Sequence, residues 1–155
     1  MKLRPHHLID IVCSYGHGEA FEPHPYGHAV HTVAVRVMED PDVEIEFVVA
    51  ADDICAPCRH LRADGQCDDI LSQLAKPVSK QSYNDRLDRK VLAYLEMEPG
   101  VRMTVSAFVV KIGAHMPGIA EVCTHPGEEP EYRMEGLRRG LAMFAHEGEG
   151  DACPR

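Results

Sequence analysis

Along residues 3–15 the apolar side chains Leu8, Ile9 and Val12 recur at helical spacing. Pro5 suits the first turn of that helix, because the N–H it lacks would have no partner there anyway. Gly16 and Gly18 end the pattern. A second helix is predicted from Pro25 to Met38, with Ala29, Val30, Val33, Ala34 and Val37 on its apolar side and Glu39-Asp40-Pro41-Asp42 as its stop. Residues 43–49 change period: apolar and acidic side chains alternate, as in a half-buried strand. One strand cannot satisfy its own backbone groups, so it needs a partner. Short strands near residues 2–4 or 76–79 are the candidates within the chain, and a second subunit is the candidate outside it.

Residues 52–69 show no periodicity, are largely polar and carry Cys55, Cys58 and Cys67, so they form an irregular loop that something must hold. Helices follow at 82–97, with Ser82 as its cap and Leu87, Val91, Leu92 and Leu95 on one face, and at 104–116, with Val105, Phe108, Val109 and Ile112. A last helix runs over 131–146 through Met134, Leu137, Leu141 and Phe144. The pattern predicts one mainly helical domain over residues 1–146, an α+β fold with a minor strand component organised around the cysteine-rich loop. Residues 147–155 form a flexible C-terminal tail in this reading.

Composition narrows the function. At 155 residues the chain can bury a core without staples. It has no apolar stretch of the roughly 18 residues that span a bilayer and no signal-peptide pattern at its N-terminus, so a cytoplasmic location without membrane contact is expected. A net charge of −9, with the acidic residues spread along the chain, repels phosphate backbones and argues against nucleic-acid binding. Six cysteines in a reducing compartment point to metal binding or thiol chemistry rather than a disulfide framework.

Cys55 and Cys58 are spaced to face one metal from a single turn, the segment to Cys67 is long enough to fold back over it, and Cys123 can arrive from another element. Two close pairs are the usual zinc pattern, whereas Cys67 and Cys123 each stand alone, which favours an iron–sulfur cluster, with four irons and four sulfides as its expected form, over zinc. Two other readings compete: buried apolar cysteines, which a polar loop disfavours, and a redox-active Cys-x-x-Cys, for which the rest of a thioredoxin-like pattern is missing.

Leu3-Arg4-Pro5-His6-His7-Leu8, followed by Asp52-Asp53-Ile54-Cys55 and Cys58, resembles a family of uncharacterised bacterial and archaeal proteins, domain of unknown function 1284, described only as candidate iron–sulfur-binding proteins. The resemblance implies a cluster and supplies no reaction. It departs at Asp10, where similar proteins tend to carry a cysteine; Cys13 lies almost a turn further on, and Cys153 falls in the tail.

Histidines crowd the N-terminal part. His24, His28 and His31 would share one face of the second predicted helix, and His6 and His7 could approach from the first as catalytic acid/base groups. His125, in the turn after Cys123, is a second-rank ligand candidate. Arg4 suits a carboxylate or substrate anion, although a structural salt bridge is the commoner fate of such an arginine, and Arg133, Arg138 and Arg139 suit a solvated helix face. Three functional readings follow: an iron–sulfur enzyme acting on a small-molecule substrate at an open cluster site, an electron carrier or accessory protein docking a redox partner, or a zinc-stabilised binding module. A homodimer is expected if the strand pairs outside the chain.

Overall fold

In the computed structural model, which describes residues 1–147, the alternating segment finds both partners within the chain. β1 (Lys2–Leu3) runs parallel to β2 (Glu44–Phe47), with Lys2 opposite Glu46 and Leu3 opposite Phe47. β5 (Arg102–Thr104) pairs antiparallel on the other edge. The alternation works as predicted: Ile45 and Phe47 are fully buried, while Glu46 faces outward and accepts from Arg102 at 2.7 Å. Residues 78–79 do form a strand, β4 (Val78–Ser79), but it pairs with β3 (Ile70–Leu71) in a separate ribbon.

The described residues form six helices: α1 (Pro5–Gly16), α2 (Val30–Glu39), α3 (Lys80–Tyr94), α4 (Val105–Ala114), α5 (Gly118–Val122) and α6 (Pro130–Glu147). The class is therefore mainly helical with a minor strand component. The core joins Leu3, Leu8 and Val12 to Phe47, Leu92, Phe108, Ile112 and Leu137, with the Phe47 and Phe108 rings 4.3 Å apart. α1 lies along α6 and also touches α3. Among the described residues, no helix is long and apolar enough to cross a membrane. Cys153 and residues 148–155 of the expected tail lie outside the described residues; Glu147 ends α6.

Two helix boundaries differ from the sequence reading for physical reasons. α2 starts at Val30, not Pro25, because Gly27 adopts φ 77° and its N–H closes a turn on the His24 carbonyl at 2.8 Å. His24 and His28 therefore precede the helix instead of sharing its face with His31. α3 is capped by Ser79, whose hydroxyl accepts from Ser82 N–H at 3.3 Å, so Ser82 sits in the first turn. Its C-terminus is set by Glu96 at φ 54°, with Met97 N–H bonded to Leu92 C=O and Glu96 N–H to Ala93 C=O. That is the Schellman arrangement with Glu where glycine is favoured, and Met97 packs back into the core near Leu92. Glu96→Gly is expected to stabilise the fold by about 1 kcal/mol by relieving the left-handed backbone. The measurement is a higher urea midpoint at unchanged slope, and an unchanged or lower midpoint would contradict it.

Candidate metal centre

β1 and the first turn of α1 run beside residues 52–53. Lys2 N–H donates to the Asp53 carboxylate at 2.9 Å and Arg4 N–H to Asp52 Oδ2 at 2.8 Å. Buried Asp52 also takes His7 Nδ1 at 2.7 Å and Cys55 N–H at 3.0 Å. One carboxylate thus ties the His-His segment to the start of the cysteine loop. Burial pushes the Asp52 carboxyl up, but the charge and hydrogen bond of His7 with the two amide bonds outweigh it, and the group is held well below the ordinary carboxylate value. His7 moves the opposite way: burial lowers it, and the nearby Asp52 carboxylate overrides that and raises it. The Cys55 thiol is pushed up to about 12, first by burial and then by the Asp52 charge. One ligand atom each from His7, Asp52 and Cys55 lies within 4.8 Å of the others, the single such trio among the described residues.

A second histidine–carboxylate pair stands beside the first. His6 Nδ1 meets Asp88 Oδ1 at 2.6 Å, and the His6 and His7 rings are 4.3 Å apart. Asp88 is fully buried and also accepts from Arg4 Nη1 at 2.6 Å, while Arg4 Nη2 reaches Asp85 at 2.8 Å. Arg4 thus holds α3 to the N-terminus, the structural role rather than an open anion site. The same Asp85 oxygen accepts from Gln81 Nε2 at 2.8 Å, and Gln81 Oε1 accepts from Cys67 N–H at 2.9 Å.

The loop itself is tightly bonded. Cys58 N–H reaches Cys55 C=O at 2.9 Å, Leu61 N–H reaches Cys58 C=O at 3.0 Å, and Leu61 forms an isolated antiparallel bridge with Cys67. Gly65, at φ 79°, turns the chain at the tip of this excursion. Arg59 lies 4.5 Å over the Tyr26 ring, which in turn meets His60 edge-on.

These elements enclose a cavity of about 410 Å³. All four cysteines expected as ligands, Cys55, Cys58, Cys67 and Cys123, line it, as do His6 and His7. Cys123 arrives just past the end of α5, as its position before a turn suggested, and is buried in a wall with Asp10, Tyr83 and Arg133. Burial, then the negative charge of Asp10, raises its thiol well above the ordinary value despite the opposing charge of Arg133. His125 lines the same cavity, with its Nδ1 accepting from Gly127 N–H at 3.0 Å.

Other candidates are placed differently. On α1 the positions facing the cavity are 6, 7, 10, 11 and 14, so Asp10 lies on the wall and Cys13 does not. The Cys13 thiol packs against α6, 3.8 Å from Arg133 C=O, with burial pushing it up to about 11. Arg133 is not on a solvated face: it is buried and bridges Asp10 at 2.7 Å and Glu128 at 2.9 Å. Arg138 and Arg139 are exposed as expected. His31 is absent from the cavity wall, whereas His28 is on it and stacks on His24 at 3.9 Å. Burial, then the charge of His24, lowers His28 to about 4, so it is neutral near pH 7.

Two further nitrogens bear on whether a metal centre fits here. Among the described residues, His28 Nδ1 and His60 Nε2 are buried without a hydrogen-bond partner and both residues line the cavity; His31 Nδ1 is orphaned too but lies off the wall. Buried imidazole nitrogens without partners are costly, and a metal or its bound atoms would satisfy them. The donor set of thiols and imidazoles suits soft or borderline metals. His60 was missed by sequence reasoning, yet the signal was available: it lies two residues after Cys58, and Asp68, which holds its ring, directly follows Cys67.

Residues 24–126 match a family described as protein of unknown function (DUF1284). The matched stretch takes in the three loop cysteines and Cys123 and begins after α1, so the His6-His7 segment lies outside it. No match was found among curated proteins or among solved structures.

Proposed function

The chain belongs to the DUF1284 family, and since that family brings no reaction with it, we propose from the cavity itself that the protein binds an iron–sulfur cluster and uses it as an enzyme on a small-molecule substrate. The observation that carries the reading is the convergence of three loop cysteines and the distant Cys123 on one cavity, beside two histidine–carboxylate pairs. The cluster's ligands are drawn from Cys55, Cys58, Cys67 and Cys123. Three come from one loop held by Asp52 and Gln81, and in the reducing cytoplasm their thiols stay free for a metal. A bound cluster of four irons supplies one-electron transfer to or from a substrate held in the cavity.

The chain's own residues prepare the rest. Asp52 fixes the His7 ring through Nδ1, which leaves Nε2 to take or give a proton in the cavity; Asp88 does the same for His6. A carrier needs neither the cavity nor paired proton-handling groups, and on that ground the enzyme reading is preferred to the electron carrier. A mononuclear ion such as zinc at His7, Asp52 and Cys55 is the second reading, favoured by the closeness of those three donors.

Anaerobic purification followed by iron, sulfide and zinc analysis tests this. A brown protein with iron and acid-labile sulfide is expected, and Cys58→Ser should lower its iron content at least tenfold. A colourless protein holding one zinc selects the second reading. Full iron occupancy in the Cys58→Ser variant would remove that residue from the ligand set.

A further inference from the structure

Three loop cysteines leave a cluster one protein ligand short, and two side chains of different chemistry stand ready: the Cys123 thiol on the far wall and an imidazole in the loop itself. We propose that His60 Nε2 is the fourth protein ligand, completing a mixed set with Cys55, Cys58 and Cys67. The inference rests on the cluster reading above and specifies its coordination.

The geometry comes from the loop. Leu61, directly after His60, bridges to Cys67, and Asp68 N–H donates to His60 C=O at 3.0 Å. The backbone thereby places His60 between Cys58 and Cys67 on a segment already folded back on itself. Its ring is set by a side chain: His60 Nδ1 meets Asp68 Oδ1 at 2.9 Å. A carboxylate at Nδ1 takes that N–H and leaves the Nε2 lone pair outward, which is how metal-bound histidines are usually supported. That Nε2 is buried and, among the described residues, has no hydrogen-bond partner. His28 has an orphaned nitrogen too, but no carboxylate supports its ring, which stacks on His24 instead.

Charge points the same way. Three thiolates beside Asp52 already concentrate negative charge, and Asp10, paired with Arg133, stands on the wall with Cys123, while Arg4 and Lys80 are the other cations lining the cavity. A neutral imidazole in the fourth position adds no further charge, whereas a fourth thiolate would.

The test is pulsed electron paramagnetic resonance of the reduced, anaerobically purified full-length protein, with iron and sulfide counted in parallel. Nitrogen hyperfine coupling is expected in the wild type and in Cys123→Ser, both with full iron. His60→Ala should lose the coupling or the centre. His60→Cys guards against simple misfolding: it should keep iron and sulfide, lose the coupling and shift to a lower midpoint potential, as thiolate replaces imidazole. Coupling that survives in His60→Cys, or iron lost from Cys123→Ser but not from His60→Ala, overturns the assignment while leaving the cluster reading intact. A wild type without iron and sulfide overturns both.

Discussion

Asp88→Ala is expected to cost about 3–5 kcal/mol, because it leaves Arg4 and His6 facing an empty position inside the protein. Asp88 has no solvent exposure and accepts from Arg4 Nη1, His6 Nδ1 and His6 N–H. Arg4 is only 2% exposed, and its Nε already lacks a partner, so it cannot turn to water when the carboxylate goes. At this chain length the loss corresponds to a Tm lower by roughly 12 °C. Asp85→Asn is the control: that side chain is 21% exposed and shares Arg4 with Asp88, so a much smaller loss is expected. Equal melting temperatures for wild type and Asp88→Ala would show that the ion pair does not hold α3 to the N-terminus.

The same carboxylate gives the fold an acid limit. Burial pushes Asp88 up, and the hydrogen bond and charge of His6 with the charge of Arg4 outweigh it, so its pKa lies below the ordinary value. A lowered carboxylate pKa contributes stability above the unfolded-state value near 4, and that contribution is lost as pH falls through the folded-state value. Asp88→Ala should therefore show a flatter fall of stability below about pH 4 than the wild type.

How much of this was legible depended on whether a signal was periodic or positional. Helix faces and the β2 alternation are repeated patterns, and each helix read from one appeared, α2 and α3 with shifted starts, while the five-residue α5 was not read from the sequence. The Lys2–Leu3 partner strand was foreseeable only because an unpaired strand demands one; β5 and β3 are too short to show a period. The α2 start was missed because one glycine in a left-handed turn overrides an apolar stripe that extends through it. At the site, the four cysteines read from their spacing as metal ligands, Cys55, Cys58, Cys67 and Cys123, all line one cavity. The carboxylates that orient the histidines were not visible, since Asp52, Asp68 and Asp88 are ordinary surface residue types until the fold buries or docks them. Asp10 was read only as the place of a missing cysteine and Arg133 only as part of a solvated helix face, whereas their pairing links α1 to α6 across residues far apart in sequence.

That helix pair carries the other large effect, because its contact is made of backbone. Gly16 of α1 faces Gly136 and Gly140 of α6, and Gly140 lies against the carbonyl of Val12. A Cβ on Gly140 would fall inside the van der Waals envelope of the Val12 oxygen, and backbone atoms cannot rotate away as a side-chain tip can. Propensity alone predicts the reverse, since alanine is favoured over glycine in a helix interior by roughly 1 kcal/mol. Gly140→Ala must force α6 away from α1, loosening the cover over Val12 and pulling Arg133 from Asp10. The expected net loss is about 3 kcal/mol, the upper end of ordinary overpacking, or roughly 8 °C in Tm. Gly113 of α4 supplies the comparison: a Cβ there meets nothing within 4 Å, so Gly113→Ala is expected to stabilise by up to about 1 kcal/mol. Thermal melts of the two variants should thus move in opposite directions. A Gly140→Ala protein as stable as Gly113→Ala would mean that α1 and α6 are not in backbone contact, and that the wall bearing His6, His7 and Arg133 is held by something else.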